Sequence, residues 1–380
     1  MKVVHRIYLD AVLQNIKSVA FFAFLPVLIA KLGASNFTIA LSNTLPAFFC
    51  ALSLAFLTRQ LPVTRGVFLV AGYTRQFAFL CMAFSILLPN PFPYLLFFWS
   101  INAVAVMVTF VQQPAIMRRH LEPSMFPTIF NYNKTIGIVI LTAGSFAIGS
   151  ALDATQSWFP HNYVAFMLLG CLATFAGMAL IAGLAPRERM KITFRMSWPF
   201  RECNRTMWWM ALNYMGIAMV APLFVIYHIK ELNFSNTQIA YFIVATGAIS
   251  ALMLPLTRRL IEQAGLMKVY GVSIIAMALL ILPYGLIQSF WLLLALQVLN
   301  GIANAVHEVT QQSMMMEDAP NHQHEMAYFS DFQLIMHIGL AVGPLIAALL
   351  LEVLPLWVCF TIIALLRLMF YFSQRLILSR

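Results

Sequence analysis

The chain has 380 residues, of which 62% are hydrophobic and 9% charged, with a net charge of +10 and a mean hydropathy of +0.84. A soluble domain is about 45–50% apolar and about 25% charged, so an ordinary water-soluble protein is excluded. So few charges among so many aromatic side chains exclude disorder as well, leaving a polytopic helical membrane protein.

A helix needs roughly 20 apolar residues to cross the hydrocarbon, which gives room for about twelve spans and for no soluble domain. Apolar runs and their breakers place these spans at 7–30, 37–57, 67–88, 94–116, 124–150, 161–184, 207–229, 237–256, 269–288, 291–315, 326–350 and 356–374. Span one carries Asp10, Gln14, Lys17 and Ser18 at spacings of 0, 4, 7 and 8, a single helical face. A cleaved leader would not tolerate Asp10, Gln14, Asn15 and Lys17, so it is read as a true span, with Lys17 about 15 Å in and close to the midplane. Arg75 lies in span three, Asn102 and Gln113 in span four, and Asn131 and Lys134 share a face of span five.

The longest polar connection, Pro186 to Arg205, reads as a linker between six-helix bundles at 1–185 and 206–380. Span seven offers Asn213, Tyr214 and Tyr227 as a hydrogen-bonding wall or as packing. Span ten is the most polar: Asn300, Asn304, His307, Glu308, Gln311 and Gln312 follow at 0, 4, 7, 8, 11 and 12. Such a stripe must face protein or water, because lipid cannot satisfy its hydrogen bonds. Asp331 falls near the inner end of span eleven, with His337 roughly 240° around the helix from it. Arg367 falls in span twelve.

Of the 23 basic residues, nearly all that lie outside the spans fall on one set of alternate loops, with only Lys31 and Lys230 on the other. The positive-inside rule then puts both termini in the cytoplasm and accounts for the basic excess without nucleic acid. Trp158, Trp291 and Trp357 mark outer span ends, and Trp198, Trp208 and Trp209 inner ones. The halves also repeat. Leu57-Thr58-Arg59 recurs 199 positions on as Leu256-Thr257-Arg258, as do Gly66 as Gly265 and Gln112-Gln113 as Gln311-Gln312; Ser35-Asn36 recurs 200 positions on as Ser235-Asn236. Duplicated halves around a central site are an architecture of secondary transporters.

Other chemistry finds little support. The five cysteines form no paired motif, Met314-Met315-Met316 cannot converge on one ion from a helix, and His322 and His324 lack a third ligand. No phosphate-cradling loop or catalytic triad is present, so no metal or cofactor is expected, and no enzyme activity.

The stretch from Leu32, LGASNFTIALSNTLPAFFCALSLAFLTRQLPVTRG, resembles the major facilitator superfamily: an outer turn, a second helix and a short basic inner loop. The resemblance implies an all-α fold of 12 transmembrane helices in two pseudo-symmetric six-helix bundles. Against the family's inner-loop pattern GxLxDRxGRR, the first half has RQLPVTRG with Val63 in the acid position, and the second has RRLIEQAGLMK with Glu262 and Gly265. On that basis Arg59, Arg258 and Glu262 are assigned to gating. The exporter motifs of helices four and five are not intact, whereas Gly339, Gly343 and Pro344 make a GxxxGP in helix eleven that implies a close helix contact and a bend.

In this fold helices one, four, seven and ten line the cavity, which implies substrate contacts from Gln14, Lys17, Asn102, Gln113, Asn213, Asn300, Asn304 and Gln311, with Lys134 added from helix five. His307, Glu308 and Asp331 are the candidates for proton coupling, the first two resembling the helix-ten pair of proton-coupled sugar permeases. Lys17 or Lys134 either pairs with Glu308 or Asp331 or attracts an anionic group. Helices three and twelve are peripheral in the family, so Arg75 and Arg367 are expected to snorkel or to pair locally.

The resulting expectation is a secondary active transporter of a small organic solute, neutral or anionic, coupled to protons and working by alternating access. Its partners are then the solute, protons and membrane lipid, with no nucleic acid; it is expected as a monomer in the plasma (inner) membrane. A multidrug or metabolite efflux pump of the same fold, using the many Phe and Met residues as an adaptable pocket, is the rival within transport. A transporter-like sensor that binds without moving its ligand is the rival outside it.

Overall fold

The computed structural model describes residues 3–58, 61–122, 125–186, 198–318 and 325–378. Among these residues there is no strand, and twelve helices are long and apolar enough to cross a membrane. They are α1 (Val3–Lys31), α2 (Asn36–Leu57), α3 (Arg65–Ser85), α4 (Pro91–Arg118), α5 (Phe126–Ala154), α6 (His161–Ala182), α7 (Arg205–Glu231), α8 (Asn236–Ala264), α9 (Leu266–Leu286), α10 (Phe290–Asp318), α11 (Glu325–Val353) and α12 (Leu356–Leu378). Each predicted span falls on one of them.

The largest departure is α8, which continues to Ala264 where the reading from hydropathy stops at 256. Its last turns are polar yet helical, braced by an Arg258–Glu262 pair four residues apart, and they end where Gly265 takes φ +86°. Helix α1 is not continuous. An α-helix to Lys17 passes into a π turn over Ser18–Phe22 and resumes at Leu25–Lys31, with Pro26 in its first turn. The Ser18 hydroxyl donates to the Gln14 carbonyl at 3.0 Å, just where the helix widens.

Two compact units result, one of Met1–Leu32 and Leu45–Pro199, the other of Gly33–Thr44 and Phe200–Arg380. Within the first, α1 packs on α5 and α6, while α3 lies between α4 and α6. Within the second, α7 packs on α11 and α12, while α9 lies between α10 and α12. The packing among α1, α3, α4, α5 and α6 is thus repeated among α7, α9, α10, α11 and α12, while α2 is divided between the two units.

Local detail carries the same repeat. Gly33 and Asn233 both take left-handed φ, +84° and +52°. Two residues later the Ser35 hydroxyl accepts from the Thr38 amide at 3.1 Å and the Ser235 hydroxyl from the Gln238 amide at 3.2 Å, each starting a helix. Lipid tails are as apolar as leucine, so these helices associate through close packing rather than by escape from water. Gly339 and Gly343 make the closest approach. A Cβ on Gly339 would lie 2.6 Å from the Ala211 carbonyl oxygen, and one on Gly343 would collide with that of Met215, so α11 meets the backbone of α7 directly.

Candidate functional site

In the first unit a buried polar cluster forms around Asp10, which is 2% exposed. Gln14, one turn along α1, donates its amide to Asp10 Oδ1 at 3.1 Å, and Gln113 of α4 donates to Oδ2 at 2.9 Å. The carbonyl end of Gln14 in turn accepts from the Arg75 guanidinium of α3 and from Lys17 Nζ, the latter at 3.4 Å. Gln14 therefore links one carboxylate to two cations through a single amide. Arg75 and Lys17 also face the Phe79 ring, at 5.6 and 5.8 Å from its centroid, which supplies some of the attraction that water would give.

Small residues make the room. A Cβ at Gly177 of α6 would lie 2.6 Å from Asp10 Oδ1, so glycine there lets the carboxylate sit against the helix. A cavity of about 20 Å³ remains between Asp10, Gln14, Arg75, Gln76, Thr109 and Gln113 and the apolar side chains beside them. That is space for one water among polar partners. Asn102, also buried, spans from α4 to the Arg75 carbonyl at 3.5 Å.

Of the predicted binding residues, Gln14, Lys17, Asn102 and Gln113 are thus brought together in one unit, with Asp10 and Arg75 at their centre. Lys134 stands exposed on α5 and does not line that cavity. Of the two expectations for Arg75, snorkelling and local pairing, the second holds: it is 9% exposed, points inward and donates to Gln14 beside Asp10. Gly72 and Gln76 flank it on the same helix, a small-and-polar face that marks the inward side of α3.

The second unit divides the residues grouped by sequence. On α10, His307 and Gln311 are buried, Asn300 and Asn304 are half-buried, and Glu308 and Gln312 are exposed. Adjacent positions point about 100° apart, so one stripe serves two faces. His307 stacks on Tyr270 with ring centroids 5.1 Å apart and an interplanar angle of 22°. Gln311 donates to the Met336 sulfur at 3.5 Å. Glu308 lies within electrostatic reach of Tyr214, whose ring centroid is 6.4 Å from that of His307.

Asp331 is fully buried, and its two oxygens accept from the backbone amides of Phe200 at 3.1 Å and Glu202 at 2.9 Å. Phe200 takes φ +70°, a turn that aims successive amides at one carboxylate. Asp331, predicted as a proton site, thus also holds the turn that leads the chain into α7. Arg367, expected to snorkel or pair locally, is 2% exposed, with its stem lodged against Gly216. Asn213 is buried, donates to the Trp209 carbonyl of its own helix at 3.1 Å, and lies beside the Tyr270 hydroxyl. Of the gating residues, Arg258 and Glu262 pair with each other at 2.9 Å on the exposed end of α8, while Arg59 lies outside the described residues. So do His322, His324 and most of the predicted linker.

Twelve apolar helices in two like-built units, with charged side chains buried inside the spans, define an integral multi-pass membrane protein of transporter fold. The sequence model of the Major Facilitator Superfamily matches residues 206–376. The nucleoside transporter NupG superposes with a TM-score of 0.74 at 12% identity, covering 100% of both chains. A bacterial homologue of the iron transporter ferroportin in its inward-facing state gives 0.71 at 11% identity over 98% of each chain. The human organic anion transporter MFSD10 (TETRAN) gives 0.65 at 15% identity over 97% of this chain and 98% of its own. A search of curated protein sequences finds no match. At such identities the superpositions establish the fold, and the family match covers the second half of the chain, residues 206–376.

Proposed function

We propose that the protein is a secondary active transporter of a small organic solute, neutral or anionic, coupled to protons, with both termini in the cytoplasm and residence in the plasma membrane. The observation that carries this reading is Asp10: a carboxylate buried in the first span, held by two amides and facing two cations and a water-sized cavity. An ionisable side chain inside a span costs about 2.5–3.5 kcal/mol on insertion scales, and a membrane protein that keeps three together has a use for them.

The arrangement suggests how coupling works. With Asp10 ionised, the cluster holds one negative and two positive charges. A proton on Asp10 leaves Arg75 and Lys17 without a counter-charge, so an anionic or strongly hydrogen-bonding solute is attracted more strongly when the proton is aboard. By linkage the solute favours the proton to the same extent. Gln14 can mediate the exchange, since rotation of its amide redirects both cations at once. Proton coupling therefore moves from Asp331 and His307 to Asp10, while Glu308, exposed on α10, remains the second candidate. Nucleoside and organic anion transporters share the fold, which is compatible with solutes of this kind.

The test is transport by the reconstituted protein in liposomes carrying a pH dye, with sugars, organic anions, amino acids and lipophilic cations as the panel. Asp10→Asn is expected to abolish accumulation driven by a pH gradient while solute exchange continues, and Glu308→Gln is run beside it. Accumulation unchanged in Asp10→Asn removes Asp10 from the mechanism; accumulation lost only in Glu308→Gln transfers the role to α10.

A further inference from the structure

Each unit carries one buried guanidinium in the layer formed by its first, third, fourth and sixth helices: Arg75 from α3 in the first, Arg367 from α12 in the second. The first unit meets Arg75 with an acid close by, Asp10, and with the Gln14 carbonyl. The second offers no such partner. Among the described residues Arg367 makes no ion pair and no hydrogen bond, and its Nε is buried without an acceptor. Guanidinium stays charged at any pH a protein meets, so it does not escape by losing its proton.

The surroundings of Arg367 are polar and unsatisfied. Tyr270 and His307 lie within electrostatic reach of it. Both ring nitrogens of His307 are buried without a protein hydrogen bond, and the Tyr270 hydroxyl, beside the Asn213 amide, has no acceptor for its own proton. Tyr270, His307, Asn213 and Arg367 are each no more than 2% exposed. The acids of the same unit that could serve are engaged or turned away: Asp331 holds the amides of Phe200 and Glu202, and Glu308 is exposed. Asn213 stands 199 positions after Gln14, at the place where the first unit supplies the group that bonds its arginine. A buried charge without a counter-charge costs several kcal/mol.

We propose that the interior of the second unit binds a small anion, taken up between Arg367, Tyr270 and His307 and bordered by Asn213, which supplies the negative charge that Asp10 supplies in the first. The chemistry is that of a halide or a small carboxylate, a compact acceptor for N–H and O–H donors converging from α9, α10 and α12. The proposal stands on the second unit alone and does not depend on the transport reading.

The experiment uses the full chain purified in detergent, in gluconate, a bulky, strongly hydrated anion, as the reference. Chloride and acetate are titrated separately at constant ionic strength while the unfolding temperature is followed by tryptophan fluorescence. A saturable rise of about 2–4 °C with chloride, acetate or both is expected, and which one acts identifies the ligand's source. Asn213→Asp places a carboxylate in the cluster, so it is expected to be as stable in gluconate as the wild type is in saturating anion and to lose the response. Broadening of the chloride NMR line by the wild type, lost in Asn213→Asp and in Arg367→Met, gives a reading at fixed temperature. No saturable rise in the wild type, or an equal rise and equal broadening in Asn213→Asp, overturns the proposal. Should Arg367→Met not fold, Asn213→Asp and Tyr270→Phe decide it, the latter with a weakened response.

Discussion

Gln14 is the residue on which the first unit's polar cluster turns. It donates to Asp10 and accepts from Arg75 and Lys17, so removing it leaves an acceptor and two charged donors short in a place water barely reaches. Each buried polar group left without a partner costs about 1–3 kcal/mol, so Gln14→Leu is expected to lower the unfolding midpoint in detergent far more than its volume change suggests. Gln14→Glu separates the two roles: it keeps an acceptor for the cations but puts a second carboxylate beside Asp10, so coupling suffers while stability largely holds. A Gln14→Leu protein as stable as wild type would show that the cluster is not held by this amide. The span-one stripe of Asp10, Gln14 and Lys17 was legible in the sequence because its spacing matches one helical face. Arg75 was not, because which side of α3 turns inward depends on packing around Gly72 and Met178, where a Cβ on Gly72 would strike the methionine sulfur.

At the scale of elements, hydropathy placed all twelve helices, since a helix needs an apolar run of that length to cross a bilayer. It did not show that α1 widens into a π turn after Lys17, nor that the polar stripe of α10 divides between a buried and an exposed face. Both depend on how the helix is rotated against its neighbours, which hydropathy does not encode. Asp331 shows the difference in kind: an acid near the end of an apolar helix reads equally as a proton site and as an anchor, and its amide contacts with Phe200 and Glu202 are not visible in the sequence. Asp331→Asn removes half of that anchor's acceptors and its charge. Trypsin is then expected to cut faster at Arg201 or Arg205, while pH-driven accumulation persists wherever the protein stays folded. Loss of accumulation without faster cleavage would return Asp331 to the coupling machinery.

For the whole molecule, the loop charges and the repeat bear on the same property, the way the chain is threaded through the membrane. Lys and Arg resist translocation when they lie in short loops close to a span, so the first helix to insert is oriented by its flanking bases and later helices follow in alternation. Here the bias holds in both halves, and an even number of spans makes the two termini share a side. Gln156 and Ser289 lie in loops on the base-poor side, and Gln263 follows Arg258 and Arg259 on the base-rich side; all three are exposed. Cys50, Cys171 and Cys359 are buried and Cys81 and Cys203 half-buried, so a variant with all five replaced gives a clean background for single new thiols. In intact cells a membrane-impermeant maleimide is expected to label Gln156→Cys and Ser289→Cys, and to reach Gln263→Cys only after permeabilisation. The reverse pattern would put the termini outside. Labelling of Gln156→Cys and Gln263→Cys from the same side would break the alternation itself, and with it the account of the basic excess as topology.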